Sequence, residues 1–215
     1  MILLAAPVLL AVLASVARPT ELRQPSPSNN DVSGEAFDSV VDAARVGAEW
    51  AWTRLVTDID PVLRGYLARQ GSSDVDDLAG ETWLHVARGI SRFEGDYDNF
   101  RSWVFMVGHH RIIDERRRRR RRPADPTESE KLLRHVGTVI SAENEVMDQA
   151  ETDTILGLLE ELTVSQREVV LLRVMGGFGV AEIAGIIGKK PGAVQALQHR
   201  AFRRLERILE KGVWK

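Results

Sequence analysis

The sequence predicts an all-α protein made of two small helical domains joined by a flexible linker, and two observations carry that expectation. Apolar residues recur at spacings of three and four wherever the chain is patterned, and no alternating run is long enough for a strand. Proline, glycine and capping residues then cut that pattern into segments of helical length, set apart by polar stretches at 19–34 and 123–150. At 215 residues, 44% hydrophobic and 28% charged, the chain is long enough for one or two cores and too ordinary in composition to be disordered or collagenous. It has no cysteine, which excludes disulfides and cysteine nucleophiles and suits a cytoplasmic location.

Residues 1–34 form an apolar leader followed by a linker. The first 17, MILLAAPVLLAVLASVA, carry no charge, and 19–34 are rich in Pro, Ser and Asn. A tail translated from a misplaced start, a membrane tether and a cleaved secretory leader are all compatible with this run, and any membrane contact would have to pass through residues 1–17. Arg18 and Arg23 would then hold the following residues on the cytoplasmic side.

Residues 35–122 are expected to form a first domain of four helices. Asp60 and Pro61 read as the N-cap and first residue of a helix over VLRGYLARQ, ending at Gly71. Ser73 is placed to cap the next, which carries Val75, Leu78, Thr82 or Trp83, and Val86 on one face and ends near Gly89. After the loop SRFEGDYD a long helix begins at about Asn99, with Phe100, Trp103, Val104 and Val107 on one face, and Pro123 stops it. Residues 123–150 read as an acidic linker. The second domain, 151–215, has an apolar stripe at Ile155, Leu158, Leu159 and Leu162, and a capping box from Ser165 to Glu168 before VVLLRVM. Gly179 is positioned to cap a short helix, and Pro191 to start a last one.

The net charge of −2 conceals two basic stretches. Residues 101–122 carry nine arginines, seven of them consecutive from Arg116 to Arg122, against Asp114 and Glu115. Residues 189–211 carry seven cations against Glu206 and Glu210. Two basic surfaces on an otherwise acidic chain suit a polyanion held at two places. Phosphate contacts position without specifying, so specificity must come from elsewhere.

The short helix, tight turn and longer basic helix at the C-terminus have the layout of a helix-turn-helix. With Val194, Leu197, Ala201 and Leu205 inward, Gln195, Ala196, His199 and Arg203 face out, flanked by Gln198 and Arg200. Glutamine pairs with adenine, arginine with guanine and a methyl surface with thymine. Before the arginine run, Phe93, Tyr97, Phe100 and Trp103 surround a glycine-containing loop, as stacking of unpaired bases requires, although for Phe100 and Trp103 taken singly packing is the expected role. No enzyme site, cofactor motif or small-molecule site is expected. His109 and His110 are adjacent and point about 100° apart on a helix, so they do not share a metal. Asp74, Asp76, Asp77 and Glu81 fall in the first helical turns, where carboxylates favour the dipole.

The runs DDLAGETWLHV (from Asp76) and FRSWV (from Phe100) through His110 to IDERR resemble region 2 of the extracytoplasmic-function sigma factors of bacterial RNA polymerase. Residues 162–173, then AEIA, GAV and HRA, resemble region 4 of the same family. The resemblance covers about 50–212 and implies a transcription initiation factor without catalysis of its own. It implies that Asp76, Asp77, Glu81, Leu84 and His85 bind core polymerase. Arg92, Asn99, Trp103, His109, His110, Asp114 and Arg117 would bind the opened −10 element. Lys190, Ala193, Gln195, Gln198, His199, Arg200 and Arg203 would read the −35 element. An anti-sigma factor is implied as a further partner. Gly80 stands where the family often has Gln, and Ala193 where it usually has Thr. The reading from another class is a stand-alone helix-turn-helix regulator.

Overall fold

The computed structural model describes residues 34–72, 74–121 and 157–210, so the leader and the 123–150 linker lie outside the described residues. Every regular element among these residues is helical. The N-terminal group holds α1 (Gly34–Arg45), α2 (Glu49–Arg69), α3 (Val75–Gly89) and α4 (Tyr97–Arg121), with a 3-10 turn at Ile90–Arg92. The C-terminal group holds α5 (Val164–Val174), α6 (Val180–Ile186) and α7 (Pro191–Glu210).

The N-terminal core is built from stripes at helical spacing. Phe37, Val40, Val41 and Ala44 of α1 are buried with Ala51, Leu55, Ile59, Leu63 and Leu67 of α2, Leu78 and Val86 of α3, and Phe100, Val104, Val107 and Ile112 of α4. Gly108 lets α4 cross α2 closely: a Cβ there would lie 2.9 Å from Leu63 Cδ1.

The expected helix start at Pro61 is corrected, since α2 runs unbroken through it. Proline costs one backbone hydrogen bond inside a helix, yet the buried stripe continues on both sides of Pro61 and tertiary packing outweighs the loss. Asp60 is no cap: it accepts from Trp83 Nε1 at 2.7 Å and pairs with Arg64. Ser73 lies outside the described residues; Asp74 caps α3, accepting from the Asp77 N–H at 2.9 Å. Helix α4 starts two residues before Asn99 because Asp96 and Asn99 cap each other's backbone N–H, at 2.8 and 3.2 Å.

In the C-terminal group the capping box lies two residues earlier than expected. Thr163 and Gln166 exchange side-chain to backbone bonds at 3.4 and 3.1 Å, which releases Glu168 into the interior, where it is buried. The Gly179 cap and the Pro191 start are as expected, with Glu182 reaching back to the Gly179 N–H at 2.7 Å. Helix α6 ends in a Schellman arrangement, Lys189 N to Ala184 O at 2.9 Å, which needs the left-handed conformation Gly188 adopts (φ 63°). The two helical groups are in contact, with α6 packed on α4 and α5 on α2.

Candidate nucleic-acid and polymerase interfaces

Helix α7 presents the simplest surface. Val194, Gln198, Ala201, Phe202 and Leu205 are buried, which leaves Ala193, Gln195, Ala196, His199, Arg200 and Arg203 exposed, preceded by exposed Lys190. This shifts the expected inward face: Leu197 sits at its edge, and Gln198, 7% exposed, takes the core position four residues after Val194. Gln198 therefore turns inward at the margin of the stripe, whereas Gln195, one turn earlier, stays exposed. Arg204 joins Glu161 at 3.3 Å and fixes α7 against the turn before α5. Among the described residues, Lys190, Gln195, His199, Arg200 and Arg203 have no side-chain hydrogen bond or ion pair, so their donors are free for a polyanion.

The loop before α4 is an assembled surface. Phe100 is fully buried and touches Phe37 and Phe93 edge-on or tilted, at 5.8 and 5.2 Å between centroids. Trp103 stacks on Phe93 at 5.4 Å with 13° between planes, and its ring lies so close to Gly89 that a Cβ there would meet it at 2.8 Å. Tyr97 packs edge-on against Phe37 at 5.5 Å. The aromatics thus brace the loop from below, while Arg92 and Asn99 are exposed on it. Gly95, at φ 140°, makes the bend that brings Asp96 and Asn99 together. Arg45, unnoticed in the sequence, donates from Nη2 to Phe93 O at 2.5 Å and holds the loop to the end of α1.

Along α4, His110, Asp114 and Arg117 are exposed, the last two 3.6 Å apart. His109 is not exposed with them. It is buried, its Nδ1 2.9 Å from Glu168 Oε1, with the Tyr66 hydroxyl at 3.4 Å from the same nitrogen. Burial raises the Tyr66 phenol well above its ordinary value, with the Glu168 charge adding to the effect. The arginine run divides. Arg116 donates to the Gln70 carbonyl at 2.8 Å and to its side-chain oxygen at 2.7 Å, closing the C-terminus of α2. Arg119 reaches Gly71 O at 3.2 Å and Glu115 at 2.5 Å. Arg117, Arg118, Arg120 and Arg121 are exposed.

Helix α3 offers a third surface. Asp77, Glu81, Leu84 and His85 recur at helical spacing on one side, with Leu84 58% exposed among them. Arg111 of α4 ties this side down, 3.8 Å from Glu81 and 3.2 Å from His85 Nδ1. Asp76 is exposed and bridges to Arg64. Burial lowers the Arg64 pKa, but hydrogen bonds and charge from Asp60 and Asp76 outweigh it and leave the guanidinium raised. Among the described residues no cluster of His, Asp and Glu is arranged for a metal, and no helix is long and apolar enough to cross a membrane.

Like Arg45, further residues that organise these surfaces are hidden in the sequence: Glu168 reads as part of a cap and Arg101 as one more charge, whereas Phe178, an aromatic flanked by three glycines in GGFG, carries a usable signal.

Comparison with known proteins agrees with this layout. The family model described as Sigma-70 region 2 matches residues 52–122, and that described as Sigma-70, region 4 matches 152–205. The ECF RNA polymerase sigma factor SigD of Mycobacterium tuberculosis is 30% identical over 182 residues, covering 81% of this chain and 84% of SigD. The ECF RNA polymerase sigma factor BldN of Streptomyces coelicolor is 29% identical over 172 residues, or 79% of this chain, and the chain spans 64% of BldN. Among solved structures, CnrH in complex with the cytosolic domain of CnrY aligns with a TM-score of 0.57 at 21% identity, covering 81% of this chain and 97% of that one. The sigma factor RpoE in complex with the anti-sigma factor NepR from Bartonella quintana gives 0.54 at 20%, covering 76% and 98%; both likenesses are of fold. With region 2 matched as well as region 4, the stand-alone regulator is not favoured, and the chain belongs to the extracytoplasmic-function (ECF) sigma factors of RNA polymerase.

Proposed function

We propose that this sigma factor docks on core polymerase through α3 and grips a promoter at two places, in the cytoplasm and without catalysis of its own. Residues 35–122 act as region 2 and residues 151–215 as region 4, with 123–150 between them. The α3 side made by Asp76, Asp77, Glu81, Leu84 and His85 meets the polymerase, with an exposed leucine ringed by charge as its anchor. The Arg92–Asn99 loop with His110, Asp114 and Arg117 of α4 holds the opened −10 strand, and Trp103 braces that loop through Phe93. Helix α7 reads the −35 duplex through Gln195, His199, Arg200 and Arg203, with Lys190 and Ala193 at its N-terminal end.

The observation that carries this reading is the pairing, in one chain, of an exposed polar rod with a basic surface backed by aromatics. A duplex is read by the first and unpaired bases are held by the second. An anti-sigma partner is proposed as the inhibitor, supported by the complexes of CnrH and RpoE with theirs. Transcription from genomic fragments with purified core polymerase tests the proposal. Promoter-specific initiation that depends on the added chain is expected, and its absence from every fragment overturns the reading.

A further inference from the structure

The C-terminal group seats on the N-terminal one through a definite socket. Arg101, Phe105 and His109 lie four residues apart along α4 and so form one stripe, beside Gly65 and Tyr66 of α2. Phe178, from the turn between α5 and α6, enters this socket and is 1% exposed; its ring meets Phe105 edge-on at 4.9 Å between centroids. The Arg101 guanidinium lies over the same ring at 4.9 Å and donates to the Gly176 carbonyl at 2.5 Å. Met175 covers Gly65, where a Cβ would come within 2.6 Å of its methyl. Glu168 supplies the carboxylate for His109, both groups nearly out of water.

This seat has the chemistry of a reversible contact. A buried polar pair such as His109 and Glu168 adds little net stability, but either partner left alone in the interior is costly. Separation returns both to water. At the rim Arg167 is half-buried, and burial lowers its pKa, with the Glu160 charge opposing the shift and the Arg116 charge of α4 adding to it. The seat also covers part of a working surface: α6 packs on α4 and His109 is buried, whereas His110, Asp114 and Arg117 stay in water.

We propose that the closed arrangement is a resting state in which Phe178 and Glu168 latch region 4 onto α4, and that opening the latch frees the whole strand-holding face. This rests on the reading of α4 as that face. The latch is independent of any second protein.

The test uses the full chain, small-angle X-ray scattering and a dye-labelled, random-sequence single-stranded oligonucleotide as probe. Phe178→Ala and Glu168→Ala are compared with the unmodified chain and with Glu206→Ala, an exposed position on α7 with the same charge change. Glu168→Ala serves as the second opening variant because Phe178 also packs within its own group. Both opening variants are expected to increase the radius of gyration and tighten the apparent affinity for the probe about tenfold, since apparent affinity scales with the competent fraction. Variants that scatter like the unmodified chain overturn the latch. Opening without tighter binding, or an equal gain from Glu206→Ala, overturns its consequence. If no chain binds the probe, open or closed, the reading of α4 itself falls, while the scattering still reports on the latch.

Discussion

The two surfaces proposed for promoter DNA are built in opposite ways. On α7 the exposed side chains stand free on a rod whose other side is core, so each position is independent of the next. On the loop and α4, nearly every group is already engaged: Asn99 with Asp96, Trp103 with Phe93, Asp114 with Arg117, His109 with Glu168. Reading a duplex needs only a rigid helix that fits a groove. Holding unpaired bases needs a scaffold assembled from several elements. Substitutions should therefore split function from stability on α7 and fail to split them at the loop.

The largest effect is expected at Phe100. Truncating a fully buried phenylalanine costs about 3–5 kcal/mol, and here it also removes the ring under Phe93 and Phe37. Phe100→Ala should lose that stability in urea unfolding and lose single-strand binding with it. Gln195→Ala should change stability by less than about 0.5 kcal/mol and shift base preference by about 1–3 kcal/mol at one base pair of the −35 duplex. Equal stability losses from the two variants would erase the distinction between the surfaces.

Gln198 sharpens the same contrast within one helix. Its place between Val194 and Ala201 on the buried side predicts that Gln198→Ala lowers stability by about 1 kcal/mol through lost packing and leaves base preference unchanged. A selective change in base preference would put Gln198 back on the reading face.

These two glutamines mark how far the sequence could be read. Helical periodicity located α7 and its outward residues, because a 3.6-residue repeat is a local property. It misplaced Leu197 and Gln198, adjacent positions at the margin of the apolar stripe, where only tertiary contact decides which turns in. Pro61 differs for the same reason: its local signal marks a helix start, and the buried stripe of Leu55, Ile59 and Leu63, four residues apart on either side of the exposed proline, overrides it. Residues whose partners are distant in sequence gave no signal. Glu168 meets His109, and Arg45 meets Phe93, only once the helices have packed.

The arginine run offers a smaller test. Arg116 is half-buried and closes the end of α2, so Arg116→Ala should cost about 1–2 kcal/mol of stability. Arg118→Ala, on an exposed side chain, should leave stability alone and reduce the salt slope of single-strand binding by about 0.7. Identical salt slopes for Arg118→Ala and the unmodified chain would mean that the exposed half of the run does not touch nucleic acid.

The smallest effect lies at Tyr66, under the socket. Its phenol is raised above the ordinary value of 10.0, first by burial and then by the Glu168 charge, against the opposing influence of Arg116 and a hydrogen bond with Gln70. The folded state thus prefers the neutral form. That preference contributes fully below the ordinary pKa and is lost as pH rises through the raised one. Tyr66→Phe cannot ionise, and at pH 8 it gives up the 3.4 Å contact with His109 and the hydrogen bond with Gln70, so its stability there should lie within about 1.5 kcal/mol of the unmodified chain. Above pH 10 the unmodified chain should weaken more steeply than the variant in urea unfolding. Parallel alkaline losses in the two proteins would mean that Tyr66 reaches water and that the socket at its edge is open.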